Sequence, residues 1–273
     1  MLFGLDLSFH PFSLNPSYRA LESAPLAEKV ARMRDPQFRA QLLSEQPDHP
    51  NPGFVETVGL QGTLYLMDGS ANYNFGDKDN LMLKAEREGR PVREVVYDAL
   101  LEDEGRAILC RYGAELGSYL EDTAKLIGQK GMIPALGDGG AHYGMICDAA
   151  FTTYLLAQRV GHHGVALPSA IKSITSMAAE SVGLLDRGYV TPGYKADLNV
   201  IDMGKIALHR PIVKADLPAG GKRLTQQSNG YVATIVNGMV TYRNGQSTGA
   251  LPGRLVRGAK TAPLRTMHSV AAA

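Results

Sequence analysis

Apolar residues recur at period two over residues 2–7, with no polar lead-in, and this alternation predicts a buried strand at the head of the chain, an opening seldom seen at the start of a domain. Residues 25–34 read as a short helix. Asp35-Pro36 then supplies a capping acid followed by proline at the first helical position, which opens a helix through Phe38, Leu42 and Leu43. Residues 46–62 hold Pro47, Pro50, Pro52, Gly53 and Gly59, a composition that predicts a long surface loop. Two helices follow over residues 79–103, split at Gly89-Arg90-Pro91. The pattern next predicts a strand over 107–110, a helix over 119–127, a strand over 132–136 and a helix over 149–160 with Phe151, Tyr154 and Leu155 on one face. Such alternation indicates a parallel sheet with helical crossovers. A further helix opens near Pro168 and carries Ile171, Ile174 and Met177 at helical spacing. After Gly188 the texture changes to short strands, over 198–201, 231–236 and 239–242, and a second domain is expected there. Asn237-Gly238 between the last two suits a type I′ hairpin, because both positions tolerate positive φ. The residues after about 260 read as a disordered tail.

Composition narrows the classes of partner. Lys and Arg number 28 against 27 Asp and Glu, so there is no basic footprint for nucleic acid and no polybasic membrane patch. With 44% apolar residues the chain affords a sizeable core, and a small-molecule ligand is the expected partner. Cys110 and Cys147, the two cysteines, form neither a disulfide framework nor a metal knuckle and suit a reducing compartment, so a cytoplasmic protein is expected. No apolar run approaches the roughly 18 residues of a membrane span.

The chemistry concentrates after residue 131. Met132-Ile133-Pro134-Ala135-Leu136 is an apolar run ending in Gly137-Asp138-Gly139-Gly140-Ala141-His142, an acid flanked by glycines. At the C-terminal end of a parallel-barrel strand, such an aspartate can bind a metal or carry a proton, and the glycines let a ligand approach the backbone. The alternative is that Asp138 caps the following turn. His142, four residues on, could hold a substrate carboxylate or be an ordinary loop histidine. His10 either enters the barrel mouth or belongs to a turn before Pro11. His162-His163 marks the end of a helix, since adjacent side chains on extended backbone point apart. Cys110 reads as a core residue and Asp148 as a helix cap. No phosphate loop, dinucleotide fingerprint, nucleophile elbow or His-x-His pair occurs.

Several spaced elements then agree with one family. The helix from Pro168 with Thr175 and Ala178, followed by Gly183-Leu184, Asp186-Arg187-Gly188, Pro192-Gly193 and Ala196-Asp197-Leu198, resembles the junction between barrel and small β domain in the amidohydrolase superfamily. Gly137-Asp138-Gly139-Gly140-Ala141-His142 and the ending Leu251-Pro252-Gly253-Arg254-Leu255-Val256-Arg257-Gly258 resemble its N-acyl-D-amino-acid deacylase (D-aminoacylase) branch.

The resemblance implies an α/β fold: a partial TIM-type (β/α) barrel over residues 1–187, strands of a small β-sandwich domain over 188–258, and a disordered tail over 259–273. It implies a hydrolase of the amide C–N bond of N-acyl-D-amino acids, using one or two Zn²⁺ ions in the complete protein. Asp138 matches the aspartate that ends the last barrel strand, as metal ligand and proton carrier, and His142 is the candidate for the substrate. The family's His-x-His pair and its other ligands have no counterpart here, and a whole barrel takes about 250 residues. The residues therefore read as the C-terminal half of such an enzyme, without activity alone. A cyclic amide or ureide hydrolase and a non-catalytic association domain are the alternatives, and self-association of copies stays open.

Overall fold

The computed structural model describes residues 1–69, 71–111, 116–136 and 142–263, the side chains of 116–119 excepted. It divides into two compact units, one from the described parts of residues 1–119, 138–148 and 210–227, the other from those of 120–137, 149–209 and 228–273.

In the first unit, β1 (Leu2–Phe3), β2 (Leu64–Met67) and β3 (Ile108–Arg111) form a sheet in the order β1-β3-β2. β3 takes the middle because Ile108, Leu109 and Cys110 are all buried, so both of its faces are covered. Cys110 is the core residue expected of it. Both pairings are antiparallel, with Leu2 opposite Cys110 and Leu66 opposite Leu109. This corrects the parallel sheet predicted from the alternation of strands and helices: a local apolar run marks a strand, but the partner it finds sets its direction. β1 is also shorter than predicted, because the Gly4 N–H bonds to the Phe9 carbonyl and the Leu7 N–H to that of Gly4, turning the chain. Residues 132–136, predicted as a strand, have no regular structure. Met132 and Leu136 are exposed there, and no described strand offers their backbone a ladder.

The described helices of this unit include α1 (Pro16–Arg19), α2 (Leu26–Met33), α3 (Pro36–Ser44), α4 (Pro52–Val58), α5 (Leu81–Glu88) and α6 (Val92–Leu100). Asp35 caps α3 as predicted, accepting the Phe38 N–H at 2.8 Å. Gly89 ends α5 at φ 61°, the left-handed conformation that glycine adopts without a Cβ penalty, and Pro91 stands just ahead of α6. α4 lies inside the stretch predicted as loop. Asn51 accepts the Phe54 N–H and Pro52 occupies the first helical position, so one of the prolines that argued for turns instead starts a helix. Its far end is held by Arg111, whose guanidinium donates to the Thr57 and Gly59 carbonyls. Phe12, Met33, Leu42, Tyr97 and Leu109 meet in the core, where the Tyr97 hydroxyl donates to the Met33 carbonyl at 2.6 Å.

Later in the chain come β4 (Leu198–Ile201), β5 (Ala207–Leu208), β6 (Ile212–Lys214), β7 (Arg223–Thr225), β8 (Ser228–Asn229), β9 (Tyr231–Val236), β10 (Met239–Arg243) and β11 (Gln246–Ser247). The β6–β7 hairpin belongs to the first unit. The second unit is built on an antiparallel sheet in the order β11-β10-β9-β4. Asn237 (φ 50°) and Gly238 (φ 79°) form the predicted hairpin turn, with Val236 opposite Met239. The spaced residues that carried the family resemblance fasten this unit together. The Asp197 carboxylate accepts the Asn237 N–H at 2.8 Å and pairs with Arg187 at 3.1 Å, while Arg187 also pairs with Asp186 at 2.9 Å. Gly188 sits at φ 91°, and a Cβ there would lie 2.7 Å from the Ser176 Cα.

The helix predicted from Pro168 is two, Leu167–Ile174 and Ser176–Ser181, broken at Thr175 (φ −124°, ψ −93°). The helix predicted over 149–160 runs as an α-turn over Phe151–Tyr154 and a π-turn over Leu155–Arg159. Ala150, not Asp148, occupies its cap position, which corrects the capping role expected of Asp148. Of the expected tail, residues 264–273 lie outside the described residues, while the Lys260 N–H bonds to the Gly183 carbonyl at 2.8 Å. Among the described residues no helix is long and apolar enough to cross a membrane.

Candidate functional site

Asp138, the residue on which the sequence places the chemistry, lies outside the described residues together with Gly137, Gly139, Gly140 and Ala141. The structure resumes at His142, which is exposed and at φ 53°, with its carbonyl accepting the N–H groups of Met145 and Ile146 at 2.8 and 2.9 Å. It therefore opens a tight turn. Three backbone hydrogen bonds tie that turn into the first unit: the Leu2 N–H to the Met145 carbonyl at 2.7 Å, the Ser8 N–H to Gly144 at 3.0 Å, and the Leu224 N–H to Tyr143 at 2.9 Å. At Gly144 the two segments approach closely, and a Cβ there would come within 1.9 Å of the Ser8 Oγ, which would have to turn away. The sequence motif thus continues directly into a segment held against the loop that follows β1 and against β7.

Beside this contact is a cavity of about 300 Å³, whose lining includes Asp6, Ser8, Glu22, Lys29, Gly144 and Lys222. Lys222 pairs with Asp6 at 2.7 Å, and the Lys29 Nζ donates to the Leu5 carbonyl at 3.1 Å. Burial first, and the Lys222 charge second, push the Lys29 amine below the ordinary lysine range. Sequence reasoning singled out none of these side chains, because each reads there as an ordinary charge on a solvated face. A second cavity of about 220 Å³ shares Asp6 and includes Arg210, which pairs with Asp103 at 2.9 Å.

His10 belongs to a turn and is fully buried. Its Nδ1 accepts the Phe12 N–H at 3.3 Å, its own N–H donates to the Ser13 Oγ at 2.8 Å, and its ring stands edge-on to Tyr18 with centroids 4.2 Å apart. Among the described residues its Nε2 has no hydrogen-bond partner. Desolvation, helped by the Lys29 charge, lowers its pKa from 6.5 to about 3, so the folded ring is neutral. The unfolded imidazole takes up a proton below pH 6.5 that the folded one refuses down to about 3, so stability is lost as the pH falls through that window. Each pH unit removes about 1.4 kcal/mol. Between pH 7 and pH 5 the protein is expected to lose about 2 kcal/mol more in urea unfolding than His10→Leu does. Equal losses would assign the acid sensitivity to other groups.

The remaining candidates do not converge. His162 and His163 follow the π-turn that ends at Arg159, as expected of a helix end, and the His163 Nδ1 lies 4.0 Å from Glu121. Cys147 is half-buried, and burial reinforced by Asp148 raises its thiol to about 11, which keeps it protonated at neutral pH. Among the described residues no group of three His, Cys, Asp or Glu side chains could hold a metal ion, so these residues do not by themselves fit a metal centre.

Comparison with known proteins adds the missing context. The sequence profile of the amidohydrolase family matches residues 2–242. A crystal structure of a D-aminoacylase, described as defining a novel subset of amidohydrolases, is 21% identical, with 70% of this chain and 37% of that one covered and a TM-score of 0.37. A D-aminoacylase mutant in complex with CuCl₂ is 19% identical, covering 84% of this chain and 46% of its own at a TM-score of 0.36. A D-aminoacylase studied for its binuclear metal centre gives the same identity, coverage and score. The chain thus spans less than half the length of these structures. The comparison with curated sequences finds no match.

Proposed function

The chain belongs to the amidohydrolase family, and from that premise we propose that it contributes Asp138 and the substrate-side loop of a metal-dependent hydrolase acting on the amide C–N bond of N-acyl-D-amino acids. The observation that carries this reading is the family match across residues 2–242, which includes Asp138. The substrate class rests on Gly137-Asp138-Gly139-Gly140-Ala141-His142 and its likeness to the deacylase branch.

In this reading Asp138 accepts a proton from the attacking water and returns it to the departing amine, while His142 pairs with the substrate carboxylate. The exposure of His142 at the head of a turn suits it to meet a ligand from solvent. A zinc ion, when bound in such enzymes, polarises the amide carbonyl and lowers the pKa of water. Asp138 can supply one ligand, and the described residues offer no group of three that could supply a site by themselves. The reading also assigns residues 1–187 to part of a (β/α) barrel and 188–258 to the small β domain. The barrel assignment requires β1 and β3 to run parallel in the assembled enzyme, opposite to their pairing here.

Two assays test the proposal. The purified chain, supplied with Zn²⁺, is expected to release no free amino acid from N-acetyl-D-amino acids, because a catalytic zinc takes about three protein ligands. Metal-dependent turnover by the chain alone would refute that division of labour. A protein that joins these residues to the family's His-x-His strand is expected to cleave N-acetyl-D-amino acids and leave hydantoins intact. The reverse preference would move the assignment to cyclic amide hydrolysis.

A further inference from the structure

Lys29 lies on α2, whose Val30 and Met33 face the core, and its ammonium reaches the wall of the cavity of about 300 Å³ beside Gly144. It is half-buried, its described hydrogen bond goes to a neutral carbonyl, that of Leu5, at 3.1 Å, and its Nζ stands 6.0 Å from the Tyr18 ring centroid. The Asp6 carboxylate on the same wall is engaged by Lys222 at 2.7 Å, which leaves Lys29 without an ion pair among the described residues. Two amines therefore share one cavity, and of its two carboxylates Asp6 is committed to Lys222. Glu22, also on the wall, is exposed and acts on Lys29 more weakly than Lys222 does. A partly desolvated lysine beside a second cation gives up its proton readily, and the neutral amine is the nucleophilic form.

We propose that Lys29 is a reactive amine, and that this cavity takes a small aldehyde or 2-oxo acid bearing an anionic group and holds it as an imine on the Lys29 Nζ. The neutral nitrogen attacks the carbonyl carbon to form a carbinolamine. The carbonyl oxygen then leaves as water with the two protons of the original amine, so a C=N bond replaces C=O with no change in oxidation state. Lys222, at the exposed mouth, pairs with the anionic group. The site stands apart from the hydrolase reading, because its readout is covalent labelling rather than amide cleavage.

The test is to treat the purified full chain with glyoxylate and cyanoborohydride at pH 7 and to map the modified lysines by mass spectrometry. Lys29 is expected to be labelled several-fold faster than Lys205, whose side chain is 79% exposed. Each unit by which an amine's pKa falls raises its neutral fraction about tenfold. Lys222→Gln, at a side chain that is 58% exposed, is expected to slow labelling at Lys29 by removing both the like charge and the anion's partner. Lys29→Arg keeps the charge and should abolish that adduct alone. Labelling at Lys29 no faster than at Lys205, or a rate unchanged by Lys222→Gln, would overturn the proposal.

Discussion

Phe12→Ala is expected to lower the unfolding free energy of the first unit by about 3–5 kcal/mol, the usual cost of deleting a buried phenyl ring. Phe12 is fully buried, and its ring meets Tyr97 edge-on at 5.5 Å between centroids and 72° between planes. The Arg93 guanidinium carbon lies 5.3 Å from the Phe12 centroid, and the same guanidinium donates to the Leu42 carbonyl at 3.2 Å. Truncation therefore opens a void beside Tyr97 and withdraws the aromatic face from Arg93 together. The surroundings cannot readily close the gap, because Tyr97 is anchored on the Met33 carbonyl. Urea unfolding checks this, with Leu251→Ala as control. Leu251 is 94% exposed, so its truncation should change stability by no more than about 0.5 kcal/mol. A loss below about 1 kcal/mol for Phe12→Ala would mean that the core relaxes around the deletion.

What the sequence discloses and what it withholds divide along the range of the interactions. The Asp35 cap, the Gly89 stop and the Asn237-Gly238 turn are legible because each is decided within about four residues by backbone conformation and a local hydrogen bond. The direction of β1 against β3 is not, because Leu2 and Cys110 meet across more than a hundred residues, and either sense would suit the same apolar runs. Residues 132–136 show the same limit, since an apolar run becomes a strand only where a ladder partner exists. α4 was concealed because its prolines and glycines carry both turn and helix-start meanings, and the choice fell to Asn51 and Arg111, the latter more than fifty residues away.

The candidate site divides in the same way. Asp138 stood out because an acid between glycines after an apolar run is a local pattern. The cavity beside Gly144 was invisible, since Asp6, Lys29 and Lys222 come together only in the fold, and sequence gives no sign that one lysine ends up half-buried. His10 could be read either as a mouth residue or as part of a turn. Its hydrogen bonds to Phe12 and Ser13 make it the latter, and that distinction depends on burial, which a lone histidine does not announce.

Asp138→Asn, made in an enzyme that joins these residues to the family's other ligands, is expected to cut kcat by about a hundredfold to ten-thousandfold, the range for loss of a positioned proton carrier. Asparagine keeps the size and shape of aspartate, so circular dichroism and the melting temperature should be unchanged, and the loss cannot be charged to unfolding. The amide can still accept a hydrogen bond, yet it cannot take a proton from water or return one to the departing amine. Zinc content measured on the same sample separates the two roles proposed for this residue. A stoichiometry that falls with activity makes Asp138 a ligand whose removal empties the site, whereas full metal content with lost turnover makes it chiefly the proton carrier. Turnover like that of the unaltered enzyme would remove Asp138 from the chemistry altogether, and with it the main reason for placing catalysis at the glycine-flanked acid rather than at the cavity beside Gly144.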